Sequence, residues 1–314
     1  MGCLVGAAPA QGPLGGDMPS FLGEGAGKRE PFSADFRFLP AQGVPGQNST
    51  LSLSQQQIRG AFPLGKWGKT LFFGKASLAH WGLDSQAVLP RGAPLPGELW
   101  AINLGVAAIH PCDNGWTVLA SVSGGSASDQ PFQSADELNA NLLGLVNIPW
   151  GERDSWSLGA FYSPLGQVPF PIPIVNYRWV PNDQWMFNFG LPLSVQYQPT
   201  PEWSFEASYM ILTQVRTRVN WQFDPSIRVY GGWEWVNQGF HLAGRPFEER
   251  FFYDEKRLVF GMQVVAQQGF VLDVSSGYAW DRVFREGEGM GGARGDRLSV
   301  NGGPFVAARL ALRF

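Results

Sequence analysis

The chain has 314 residues, of which 44% are hydrophobic, 14% aromatic and only 16% charged, against about 25% charged in ordinary soluble domains. Its 40 glycines follow no G-X-Y period, which excludes collagen. Its 43 aromatic residues (13 Trp, 7 Tyr, 23 Phe) exclude a disordered chain, and a net charge of -3 gives no electrostatic case for nucleic acid. A membrane helix needs about 18 uninterrupted apolar residues, and the long uncharged stretch 155–177 is broken by Pro164, Pro169, Pro171 and Pro173. If this chain crosses a bilayer, a closed β-barrel is the remaining backbone solution.

In chain order, residues 1–10 carry small apolar side chains and Ala8-Pro9-Ala10, the small-x-small pattern of a signal-peptide cleavage site, and read as the remnant of a truncated signal peptide. Residues 11–30 read as a flexible linker, and 31–314 as one barrel domain. Cys3 falls in the signal remnant, so Cys112 has no disulfide partner. From residue 31 alternation dominates: Phe32, Ala34, Phe36 and Phe38 share one face, and 70–81, 98–110 and 116–126 are strand-length runs of β-formers.

The stretch 168–235 is the most informative. Its odd positions stay apolar through successive turns: Val175, Tyr177 and Trp179; then a single run from Trp185 through Phe187, Phe189 and Leu191 to Tyr197; then Trp203, Phe205 and Tyr209. Val219, Trp221 and Phe223 follow, and after Asp224-Pro225-Ser226 come Ile227, Val229, Trp233 and Trp235. The even positions are polar, which makes a sheet with one apolar and one polar face. Two features orient the apolar face toward lipid. Aromatic rings beside the turns (Trp179, Trp185, Tyr197, Trp203, Trp221 and Phe223) form a candidate girdle at the membrane boundary. The polar face uses Arg, in a chain with 18 Arg and 5 Lys, which suits a confined lumen. Phe189→Arg is then expected to harm bilayer folding more than Asn188→Arg.

The candidate lumen residues are Arg178, Glu206, Arg216, Arg218, Arg228 and Glu234. If Phe223 pairs with Ile227, Arg216 faces Glu234; if Met210 pairs with Gln214, Arg218 faces Glu206. A one-residue slip would put these charges into lipid. Such pairs either stitch the wall or form a constriction, in which Arg178 and Arg228 leave an excess of positive charge over Glu206 and Glu234 and favour anionic solutes.

Other motifs carry less. His80, His110 and His241 lack metal-ligand spacing, so no metal or cofactor is expected. His241 reads as a polar loop residue rather than a rim catalyst. The glycines of 287–292 precede no helical run and read as a loop, not a dinucleotide site, and Arg294-Gly295-Asp296 is a chance tripeptide. The run 248–257 is too charged to face lipid and is a loop, a strand extension beyond the bilayer, or a lumen patch. At the end, Val306, Ala308, Leu310, Leu312 and Phe314 alternate with Ala and Arg; this resembles the signal read by the bacterial barrel-assembly machinery.

LPGELWAINLGV (95–106), the stretch 170–203, RFFYDEKR (250–257) and GPFVAARLALRF (303–314) resemble a bacterial family of uncharacterised outer-membrane β-barrels, and more distantly the barrels named for the phenol meta-cleavage pathway. The resemblance covers about 95–314 and implies a fold and a location, without a substrate. The expectation is a closed antiparallel transmembrane β-barrel of about 14 strands, with 12 or 16 also compatible, in the bacterial outer membrane. It would be a channel or transporter for small solutes, or else a plugged structural or assembly barrel, with a rim enzyme less favoured. Outer-membrane lipid, the assembly machinery and a small solute are the expected partners, with no nucleic acid.

Overall fold

The computed structural model describes residues 31–165, 170–210, 214–266, 269–287 and 297–313. The signal remnant, the linker, the glycine loop with its Arg-Gly-Asp tripeptide and Phe314 therefore lie outside the described residues. The first half of the sheet comprises β1 (Phe32–Gly43), β2 (Thr50–Trp67), β3 (Thr70–Ser85), β4 (Glu98–Pro111), β5 (Thr117–Ser128), β6 (Leu138–Trp150), β7 (Asp154–Tyr162) and β8 (Ile172–Trp179). The second comprises β9 (Trp185–Phe189), β10 (Leu193–Tyr197), β11 (Trp203–Met210), β12 (Gln214–Asp224), β13 (Ile227–Phe240), β14 (Arg250–Val265), β15 (Phe270–Gly287), β16 (Arg297–Val300) and β17 (Gly303–Leu312).

From β1 to β16 each strand pairs antiparallel with the next, β17 pairs with β15, and β1 pairs with β17 from Phe32↔Leu312 to Phe38↔Val306, which closes the sheet on itself. The segments β16 and β17 both lie along β15, end to end, so the closed wall has 16 strands. The expectation of about 14 is corrected for a local reason. The run Trp185–Tyr197, which reads as one strand, breaks at Gly190 and returns as the hairpin β9–β10, with Asn188 opposite Ser194. The break spares the phase, because an even residue still opposes an even one. In β2, Gln55, Gln56, Gln57 and Gly60 also obscure the alternation.

The faces follow the residue pattern. Val175, Phe189, Phe205, Val219 and Phe260 are 40–62% exposed on the outside, whereas Asn176, Asn188, Asn220 and Glu234 are 3–4% exposed inside. Large apolar side chains on the surface of a closed barrel are in their low-energy solvent when that solvent is lipid. None of the described helices is long and apolar enough to cross a membrane.

The two rims differ. At the end carrying the chain termini the connections are short, such as 68–69, 151–153 and 225–226; Gly68 takes φ +58° in the first of them, a conformation glycine adopts without steric cost. At the far end the connections include 86–97, 129–137 and 241–249. This asymmetry is that of outer-membrane barrels, with short periplasmic turns and longer extracellular loops.

The girdle residues all sit on the outer face at the short-turn rim, at the ends of β8 to β12. Their rings form a belt: Trp185 stacks on Tyr197 at 4.0 Å, Trp179 on Phe187 at 5.2 Å and Trp203 on Trp221 at 6.0 Å. Phe223 meets Trp221 edge-on at 5.5 Å. On β17, Val306 and Leu310 are exposed on the same outer face as Ala308, and Leu312 is half-buried at the rim.

Candidate functional site

The alternation brings all six predicted lumen residues to the inner face of the wall: Arg178 from β8, Glu206 from β11, Arg216 and Arg218 from β12, Arg228 and Glu234 from β13. The registers place Arg216 opposite Glu234 and Arg218 opposite Glu206. The β12–β13 turn differs in one detail: a bulge pairs Asp224, not Phe223, with Ile227, and the expected register resumes at Gln222↔Arg228. The connection 211–213 lies outside the described residues, but Met210↔Gln214 brackets it.

Contact does not simply follow register. Glu234, 4% exposed, is the hub: Arg216 lies at 3.5 Å, Arg218 at 3.3 Å and Arg257 at 2.5 Å. Arg218 thus leans away from its ladder partner, with its guanidinium 4.1 Å from the centre of the Tyr230 ring. Glu206 instead accepts a hydrogen bond from the Asn220 side chain at 3.0 Å. The concave face explains this, since inward-pointing side chains converge and one carboxylate can collect cations from β12 and β14 together.

Above this hub lies a second charged layer that extends to residues outside the predicted set. Glu255 pairs with Arg37 from β1, with Arg257 at 3.1 Å, and accepts the Tyr253 hydroxyl at 2.8 Å. Arg282 donates to the same hydroxyl at 3.1 Å. Arg257 joins both carboxylates, so one network crosses from β12 to β1. A third group sits near the closing seam, where Asp35 meets Arg59 at 3.1 Å and Arg309 at 3.6 Å. Part of this was readable. Phe32, Phe36 and Phe38 outward dictate Asp35 and Arg37 inward, and Leu258, Phe260 and Met262 outward dictate Glu255 and Arg257 inward. Of the three readings open for the run 248–257, the strand carries Glu255 and Arg257 into the lumen, while Asp254 and Lys256 take the opposite face, where Asp254 pairs with Arg285 at 3.0 Å and Lys256 with Asp281 at 2.8 Å. Arg216, Arg218, Tyr230, Glu234, Arg257 and Asp273 help to enclose a cavity of about 50 Å³.

Toward the long-loop rim the interior turns apolar. Leu39, Leu51, Leu53, Leu99, Phe240 and Phe251 are at most 1% exposed and belong to one buried cluster. Three consecutive residues of β14, Phe251, Phe252 and Tyr253, are all buried. Alternate residues of a wall strand face lipid, so a run buried on both faces is covered on both sides by protein. The covering is identifiable: Trp81 of β3 meets Phe240 at 5.1 Å and Tyr253 at 5.4 Å, edge-on in both cases. On the other side, a Cβ on Gly239 would come within 2.5 Å of the Leu165 carbonyl, so only glycine allows that approach.

The same hairpin end reaches across the mouth. The His241 amide donates to the Ala127 carbonyl at 2.8 Å, forming a parallel bridge between His241 and Ser128, although β5 stands opposite β13 in the strand order. The Ala243 amide donates to the Asp129 carboxylate at 2.8 Å, and Arg91 pairs with Glu249. The β13–β14 end therefore crosses the long-loop half of the barrel and packs in one buried cluster with loop residues such as Leu89 and Leu95.

The three histidines are dispersed. His241 faces the Pro246 carbonyl at 3.1 Å, His110 the Thr70 hydroxyl at 2.9 Å, and His80 Glu98 at 3.6 Å. Among the described residues no cluster of three or more His, Cys, Asp or Glu has metal-site geometry.

The family model described as Domain of unknown function (DUF6268) matches residues 87–277, and the chain belongs to that family. No curated protein matches the chain. Among solved structures, the β-domain of the Bordetella autotransporter Brka is 11% identical, with a TM-score of 0.36 over 92% of this chain and 100% of that one. An outer-membrane channel from Pseudomonas putida F1 is 9% identical, with a TM-score of 0.36 over 92% and 96%. OpdQ of Pseudomonas aeruginosa is 10% identical, with a TM-score of 0.39 over 93% and 99%. The closed wall, its apolar exterior, the aromatic belt and the unequal rims make this chain a β-barrel of the bacterial outer membrane.

Proposed function

We propose that this member of the family is a channel for small solutes that rests in a closed state, without enzymatic activity of its own. The observation that carries the reading is the way the mouth is shut. The obstruction is the end of one hairpin, held by a main-chain bond to Ala127, the Asp129 carboxylate and the Arg91–Glu249 pair, above a lumen lined with charge. Polar links of this kind are each worth about 0.5–3 kcal/mol. A hairpin end can swing while the ladder below it stays paired.

A second reading, a permanently plugged structural barrel, is favoured by the apolar packing of Phe240, Phe251 and Tyr253. Burying each such side chain stabilises by roughly 1.5–3 kcal/mol, and opening must expose some of that surface.

Planar-bilayer recording of the full chain separates the two. The channel reading expects a wild type that is closed for most of the time, and frequent openings when Arg91→Ala and Asp129→Ala are combined. Silence from both proteins at all voltages, with barrels that remain folded and heat-modifiable, would overturn it in favour of the plug.

A further inference from the structure

We infer that the short-turn half of the lumen holds an anion-binding site centred on Arg228, for a small oxyanion such as phosphate or a carboxylate. This rests on the channel reading for its role in transport, but the site itself stands on the geometry below.

Most lumen arginines are engaged. Arg216, Arg218 and Arg257 share Glu234, Arg37 has Glu255, and Arg59 has Asp35. Arg228 differs. It is 9% exposed on the inner face of β13, near the short-turn rim, and no hydrogen bond or ion pair joins its guanidinium to another described residue. Its Nε is buried without an acceptor. An arginine cannot shed its proton to escape this situation, so a guanidinium with a buried, unmet Nε–H calls for an acceptor.

The ladder neighbours of Arg228 do not supply one. Gln222, directly opposite on β12, turns its amide to the backbone carbonyls of Asp224 and Ile227. Gln263, opposite on β14, has a buried side-chain oxygen with no partner. The two carboxylates within electrostatic reach, Glu206 and Asp273, are occupied by the Asn220 amide and, at 2.6 Å, the Tyr230 hydroxyl. Arg218 and Arg313 also lie within reach and add positive potential. The unmet need at Arg228 is therefore for oxygen acceptors, in a lumen where Arg218 and Arg313 offset the two engaged carboxylates. A planar guanidinium meets a phosphate or carboxylate through two parallel N–H donors, and the chemistry of the two ligands is the same at this site.

Two measurements on the full chain test the inference independently. In the first, thermal unfolding of the detergent-folded barrel is followed with and without inorganic phosphate and, separately, acetate. The wild type is expected to rise in Tm with one or both anions, and Arg228→Gln to show no such rise whatever its own starting stability. A wild type that fails to respond, or an Arg228→Gln protein that responds equally, overturns the site. In the second, the mouth-opened Arg91→Ala, Asp129→Ala barrel is recorded in a potassium chloride gradient. The expected reversal potential favours chloride, and adding Arg228→Gln is expected to lower that preference several-fold. Arg153→Gln, at an exposed periplasmic turn, should leave it unchanged. A potassium preference, or indifference to Arg228→Gln, overturns the anion selectivity while current still flows. Absence of current in every variant refutes the channel reading alone, and the first measurement still decides the site.

Discussion

Glu234 is surrounded by three arginines because two strands, β12 and β14, aim them at one point of a concave surface. Removing that carboxylate leaves buried cations without compensation, which costs about 3–5 kcal/mol in comparable buried pairs. Glu234→Ala is accordingly expected to lose about that much stability in urea unfolding of the refolded barrel. Glu206→Ala, which removes the acceptor of one Asn220 amide hydrogen bond, is expected to lose only about 1–3 kcal/mol. Equal losses would remove Glu234 from the centre of the network. The pairing of Arg216 with Glu234 was legible in the sequence, because parity and turn length fix which residues oppose each other. The recruitment of Arg257 was not, although it is the register partner of Glu234 on β14, because the long connection 241–249 leaves that register open in the sequence. The reach of Arg218 to the same carboxylate follows from wall curvature, which is not written in a local pattern.

At the scale of single strands, parity was the durable signal and strand number the fragile one. Gly190-Leu191-Pro192 turns the chain back on itself, yet the residues on either side keep the parity of one continuous strand, so the outward set Phe187, Phe189, Leu193 and Val195 is the same in both readings. A tight turn between two short strands is hidden when it does not interrupt the alternation. The faces themselves can be tested on this hairpin. Phe189→Arg places a guanidinium in the lipid, at a cost of up to about 2–4 kcal/mol near the bilayer midplane. Gln196→Arg places it on the partly open inner face and is expected to cost far less. Folding yield into lipid vesicles, read by heat-modifiable gel migration, should separate the two variants; equal yields would mean that the inner and outer faces are assigned the wrong way round.

The whole barrel combines a wall that follows sequence order with a set of contacts across the mouth that does not. Apart from the closing pair and β17, which continues β16 along β15, all strand pairs join neighbours in sequence, which is why the fold class could be read from alternation; the location needed the aromatic rings beside the turns and the arginine-rich inner face as well. The bridge between Ser128 and His241 joins opposite walls and leaves no local trace, since its link is a main-chain bond to Ala127. What the sequence does carry is the consecutive apolar run Phe251-Phe252-Tyr253, which breaks the rule of a wall strand and so marks a segment covered on both faces. If that hairpin end closes the mouth, fixing it there should be harmless to folding and decisive for transport. In a Cys3→Ser, Cys112→Ser background, Ser128→Cys with His241→Cys is expected to cross-link under mild oxidation in the folded barrel, and not in the heat-denatured chain. The oxidised form of this protein, built on the Arg91→Ala, Asp129→Ala barrel, should carry no current, and reduction should restore the openings. Ready cross-linking without any effect on current would mean that solutes pass elsewhere and that the hairpin end is a strut. Failure to cross-link in the folded state would mean that the two walls do not meet at the mouth.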